Sequence, residues 1–142
     1  MGEGHDAYGS RKRGILELFE RGIVVDLYGS GWNILEKLNK GEVHDEQVVN
    51  TLNRYKYGLD FSEVEPIPKR VLEYAGCGCV PVVKEPALFY DLFALDEMLF
   101  VDDDFMNKNG EEVMLRAYKK VYRCHTQKNR AKFVMDAVDG KN

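Results

Sequence analysis

The sequence predicts an α/β layer sandwich, a parallel sheet with helices on both faces, followed by two C-terminal helices. Strand-like and helix-like segments alternate from about residue 23 to residue 101, the pattern of βα units. The connections between them are short, and right-handed crossovers place helices on both faces of such a sheet. The chain has 142 residues, 44% hydrophobic and 31% charged, which argues for one domain over 1–142 and against disorder. Folding at that length removes roughly 68–70% of the unfolded surface from water.

The elements follow in order. Ile15, Leu16, Leu18 and Phe19 share one face of a helix over 11–21, with Gly22 as its stop. Ile23 to Tyr28 is a β-branched run entering the turn Gly29-Ser30-Gly31. A short helix is expected over 33–39, and another over 46–55 that Asp45 caps. Residues 57–61 read as a strand, and Pro66 and Pro68 start a helix that ends at Gly76. Cys79-Val80-Pro81-Val82-Val83 is apolar throughout, as in a strand covered on both faces. A short helix over 87–93, a strand over 98–101 and helices over 109–122 and 126–138 complete the pattern. One feature is out of place: residues 1–10 contain no apolar run, so the strand that usually opens such a sheet is missing.

Composition narrows the function classes. The N-terminus lacks the apolar segment of a signal peptide, and no run approaches the roughly 20 residues of a membrane span, so a cytoplasmic domain is expected. The formal charge of −4 does not imply a polyanion partner, but it is unevenly spread. Nine acids and one base lie between 85 and 112, then seven bases and no acid between 113 and 135. The basic stripe within 116–132 would suit nucleic acid; alternatively it is a solvated helix face paired with the acidic segment before it.

Ligands of an open parallel sheet bind beyond the carboxyl ends of its strands. Three segments compete for that place. Tyr28-Gly29-Ser30-Gly31-Trp32 would let the backbone approach an anion, although it is also an ordinary strand–helix turn with Trp32 as packing. Glu65 and Glu73 bracket a helix start with Lys69 and Arg70 between them, and ionised carboxylates can hold sugar hydroxyls. The structural alternative there is capping plus a Lys69–Glu73 surface pair. Arg11-Lys12-Arg13, read as a helix start, would oppose the helix dipole unless an anion binds, or else is a solvated terminus. Cys77 and Cys79, with Cys124 and His125, match no zinc spacing and read as small packing residues.

These residues resemble a known family. Glu65, seven residues, Glu73 and then Ala75-Gly76-Cys77-Gly78-Cys79-Val80-Pro81-Val82-Val83 is similar to the E-x7-E region of retaining GT-B glycosyltransferases. Within that group, Arg70-Val71-Leu72-Glu73, the run Val24 to Trp32, and Cys124-His125-Thr126 with Arg130 most resemble the CgeB-like, spore-maturation proteins. The likeness covers about 9–138. It implies a Rossmann-like sheet, one half of a GT-B fold, that binds a nucleotide-sugar donor and transfers a hexosyl group without a metal or other cofactor.

Carried over by position, Glu73 would hold the ribose hydroxyls and Glu65 the sugar or its diphosphate. Arg13 and Lys12 would neutralise the diphosphate, Gly29, Ser30 and Gly31 would line the nucleotide cleft, and Arg70 would add charge near the leaving group. The sequence departs from the pattern in three places. It has no acceptor-binding domain, so a missing segment or a partner subunit is implied. The opening strand is absent, and Pro66 and Pro68 stand in place of a glycine-rich loop. A non-catalytic binding module or scaffold of the same fold is the alternative.

Overall fold

The computed structural model describes residues 2–28, 38–44, 46–63, 69–126, 128, 129, 131, 132 and 135. Among these, the elements are α1 (Gly2–Glu20), α2 (Glu46–Leu52), β1 (Tyr57–Asp60), α3 (Arg70–Gly76), β2 (Val80–Val83), β3 (Leu99–Phe100) and α4 (Gly110–Cys124). Short 3₁₀ turns at Pro86–Phe89, Leu95–Glu97 and Phe105–Asn107 join the later ones.

The strands form a parallel sheet in the order β1-β2-β3. Tyr57 pairs with Val80 and Asp60 with Val83; Val82 pairs with Leu99. Every residue of β2 is buried, as its unbroken apolar run requires. Pro81 is tolerated in this central strand because β3 begins only opposite Val82, so its missing N–H costs no ladder bond.

Alternation along the strands divides the core in two. Val80, Val82 and Leu99 pack with Ile15 and Leu18 of α1, Leu27, Phe61 and Phe105. Val83 joins Val71 and Ala75 of α3, Phe89, Phe93 and Met98, and Ala117 and Val121 of α4. Helices therefore cover both faces, as expected from the sequence. On the first face α1 crosses the carboxyl ends of the strands. Gly14 lies against the Phe61 ring just past β1, and Arg21 donates to the carbonyls of Val101 and Asp103, both at 2.7 Å, just past β3. Seven helical residues span about 10 Å, the separation of two inter-strand steps.

Several elements differ from the sequence expectation. Among the described residues the run Ile23 to Tyr28 is not a ladder strand, and its one bridge joins Leu27 to Asn39. Leu27 donates to Leu38 O and accepts from Lys40 N there, and Gly41, at φ 102°, ends that stretch. Asn39 is accordingly in the bridge and not in a helix, while 33–37 and Asp45 lie outside the described residues. The first helix begins at Gly2, so Arg11, Lys12 and Arg13 sit in its middle. The dipole argument for an anion at a helix start does not apply to them. The segment over 87–93 forms a 3₁₀ turn from Pro86 and no α-helix. Beyond α4, the described residues Lys128, Asn129, Ala131, Lys132 and Met135 are helical.

Candidate functional site

The carboxyl end of β1 opens on a cleft of about 670 Å³. One wall is the 23–28 run, the other is β1, and α2 and the first turn of α3 close it. Lys69, Arg70 and Glu73 line it from α3, Arg11 from α1, and Asp60 from the end of β1. Arg70 and Glu73 are three apart on a helix, which turns both toward one side. Both are exposed. Lys69 makes no side-chain cap and no ion pair joins it to Glu73, so the surface-pair part of the structural alternative is not realised, while Glu65 lies outside the described residues.

Asp60 is the buried charge of the site, 3% exposed. Its carboxylate accepts from Ser62 N at 3.1 Å and Ser62 Oγ at 3.2 Å. Burial pushes its pKa up, and the Ser62 bonds, then Arg70 and Arg11, pull it part of the way back. Beside it, the Tyr74 ring lies over Gly58, and its hydroxyl donates to Leu59 O at 3.2 Å. Burial pushes the Tyr74 phenol up to about 12, so it is a fixed donor at neutral pH.

At the opposite end of β1 the cleft is bridged by side chains. Tyr55 Oη donates to Asp26 Oδ2 at 2.5 Å and is 2.6 Å from Tyr28 Oη; its bond to Asp26 leaves it to accept from Tyr28. Bonding to Asp26 and then to Tyr28 raises the Tyr55 pKa, which keeps its proton in the relay. This relay ties the 23–28 run to the residues before β1, where among the described residues no ladder does.

The sequence-expected residues fall into three groups. Arg70 and Glu73 meet in the cleft. Lys12 and Arg13 do not line it; Lys12 is half-buried and Arg13 exposed, while Arg11 of the same basic cluster is the one that faces it. Glu65, Gly29, Ser30 and Gly31 lie outside the described residues. Sequence reasoning named Arg11 within the basic cluster but gave the site roles to Arg13 and Lys12, and it passed over Asp60. The signal for Arg11 was present: it is four residues before Ile15 and seven before Leu18, on the buried face. Asp60 gave none beyond being an acid at the end of a strand.

Cys77, half-buried, and Cys79, buried, sit at the junction of α3 and β2, whereas Cys124 is exposed at the end of α4. Cys79 is buried, and its thiol donates to the carbonyls of Leu52 at 3.1 Å and Tyr55 at 3.3 Å. Burial pushes that thiol up to about 11. Among the described residues no group of three histidine, cysteine or acidic side chains is placed to hold a metal.

The family model described as glycosyl transferase-like matches residues 11–136. The chain belongs to that family. The match runs from the middle of α1 to the helical residues after α4, and so contains both walls of the cleft and its charged mouth. No curated protein and no solved structure matches the chain. A glycosyl transferase-like domain built on a parallel sheet accounts for the fold and for the position of the cleft at a strand's carboxyl end. Among the described residues no helix is long and apolar enough to cross a membrane.

Proposed function

We propose that this glycosyl transferase-like domain is a donor half: it binds a nucleotide-sugar and serves hexosyl transfer to an acceptor held by another domain or subunit. The observation that carries the reading is the convergence of Arg70, Glu73 and Arg11 on one cleft at the carboxyl end of β1. The chemistry is complementary to a nucleotide diphosphate. A guanidinium makes paired, charge-assisted bonds to phosphate oxygens, and an ionised carboxylate accepts from two vicinal hydroxyls. Departure of the diphosphate builds negative charge, which fixed cations stabilise. Glu65 and the Gly29-Ser30-Gly31 turn belong to this proposal through the resemblance, as further contacts to the sugar and the nucleotide. The narrower CgeB-like likeness rests on the same motifs.

The basic stripe does not favour the nucleic-acid reading. Arg116 pairs with Asp96 at 3.8 Å and with Glu112, and Lys120 lies 4.0 Å from Glu97. The acidic segment is thus partly spent on the stripe, as the alternative reading expects.

The test is a thermal-shift series of wild type and Glu73→Ala against nucleoside diphosphates and their sugars. One nucleotide is expected to stabilise the wild type, by about 2.7 kcal/mol at a hundredfold excess over Kd, and Glu73→Ala to lose that shift. Absence of any ligand shift, or a shift that survives Glu73→Ala, would favour a scaffold without this donor site.

A further inference from the structure

We infer that Asp60 is the proton-accepting partner of the donor site: an anion that settles on Arg11 and Arg70 binds together with a proton on the Asp60 carboxylate. The role rests on the donor reading, whose diphosphate is that anion. Asp60, Arg11 and Arg70 line one cleft, with Asp60 at the carboxyl end of β1 and the arginines on α1 and α3. The Asp60 side chain is buried and accepts from Ser62 N at 3.1 Å and Ser62 Oγ at 3.2 Å. Both of those donors are neutral. The positive charge that offsets its burial comes from Arg70 and Arg11, whose fields draw the carboxyl back from the higher pKa that burial imposes.

A diphosphate places negative charge on those same two cations. Their field at Asp60 is then largely cancelled, and the cost of keeping a buried carboxylate ionised returns. Asp60 answers by taking a proton from solvent. By linkage, the bound anion and the bound proton favour each other by the same factor. The other charged groups of the cleft do not replace Asp60 in this part. A guanidinium does not deprotonate in a protein. Burial holds the Tyr74 phenol up at about 12, so it keeps its proton throughout. Lys69 and Glu73 also line the cleft from α3, but both are exposed, where water and salt screen the incoming charge. Lys84, just past β2, is held by Asp102 at 2.8 Å. The buried carboxylate is therefore the group that feels the anion most.

The experiment is a calorimetric titration of the full chain with symmetrical dimethyl diphosphate, one methyl on each phosphorus. This probe lacks the second phosphate proton that titrates near neutrality in a monoester, so its own charge stays constant. Wild type and Asp60→Asn are compared at about pH 5, 6 and 7. Wild-type affinity is expected to fall about threefold to tenfold for each unit of rising pH. Asp60→Asn, a neutral isostere of the protonated acid, should hold the wild type's pH 5 affinity at every pH. A second measurement uses wild type alone, in two buffers of different ionisation enthalpy, and should count up to one proton taken up per diphosphate bound. Binding without pH dependence or proton uptake would overturn the inference and leave the donor reading standing. Equal pH dependence in Asp60→Asn would overturn it too, by assigning the proton to another group. No binding at any pH would remove the donor reading, and the inference with it.

Discussion

Asp60 is a buried carboxylate whose environment couples folding to pH. Its folded pKa lies above the ordinary value of 3.8 because burial outweighs the Ser62 bonds and the fields of Arg70 and Arg11. Between that ordinary value and the raised one, the folded chain holds more protons than the unfolded chain. Stability attributable to this group therefore falls as pH rises through the window, and the loss is complete above the folded pKa. Compared with Asp60→Asn, the wild type should be relatively more stable near about pH 3.5 than near pH 7, as read from urea melts at both. A reversed difference would mean that the guanidinium fields dominate over burial. Tyr57 offers a second test. Its hydroxyl is buried without a hydrogen-bond partner, although its ring packs edge-on against Phe105 at 5.3 Å. Tyr57→Phe keeps the ring and removes the orphan, and should raise unfolding stability by about 1 kcal/mol.

At the scale of elements, the packing of α3 on β1 depends on a missing side chain. Any Cβ at Gly58 would overlap the Tyr74 ring. Gly58→Ala should cost about 1–3 kcal/mol, and less in a Tyr74→Ala background, which a double-mutant cycle would measure. Gly76, at the end of α3, is a contrast, since its nearest neighbour would be Val121 at an ordinary 3.6 Å. Gly76→Ala should be neutral or stabilise by about 0.4–1 kcal/mol. The strands β1 and β2 and the helix α4 were legible because their patterns are local: an apolar run of β-branched residues, and a 3.6 period with Asn109 as its cap. Ile23 to Tyr28 has an equally strong strand composition, yet among the described residues only the Leu27–Asn39 bridge forms. Composition records that a segment suits a sheet, not that it docks on the edge it faces. The start of α1 at Gly2 was illegible for the opposite reason: residues 2–10 carry no apolar period, and the helix there continues upstream from the buried Ile15 and Leu18.

Across the whole molecule, the chain reads as a two-faced sheet whose carboxyl ends are unequally covered. Because α1 spans from Phe61 to Val101, the ends of β2 and β3 lie beneath it, and Lys84 and Asp102 there form an ion pair at 2.8 Å. The end of β1 is left to Arg11, Arg70 and Glu73, which is why the charged mouth of the cleft lies at an edge strand. The sequence pointed to Arg70 and Glu73 through the resemblance to the E-x7-E region. Within the basic cluster the same resemblance favoured Arg13 and Lys12, whereas three consecutive bases on a helix face three directions and the register of Ile15 and Leu18 turns Arg11 to the cleft.

That difference supplies the most direct test of the account, a calorimetric titration of the stabilising nucleoside diphosphate into wild type, Arg11→Ala, Arg70→Ala and Arg13→Ala. If the cleft at β1 holds the donor, Arg11→Ala and Arg70→Ala should each weaken binding about 10- to 100-fold while Arg13→Ala stays near the wild type. Weakening by Arg13→Ala with Arg11→Ala unaffected would place the diphosphate on the other side of α1 and contradict the account.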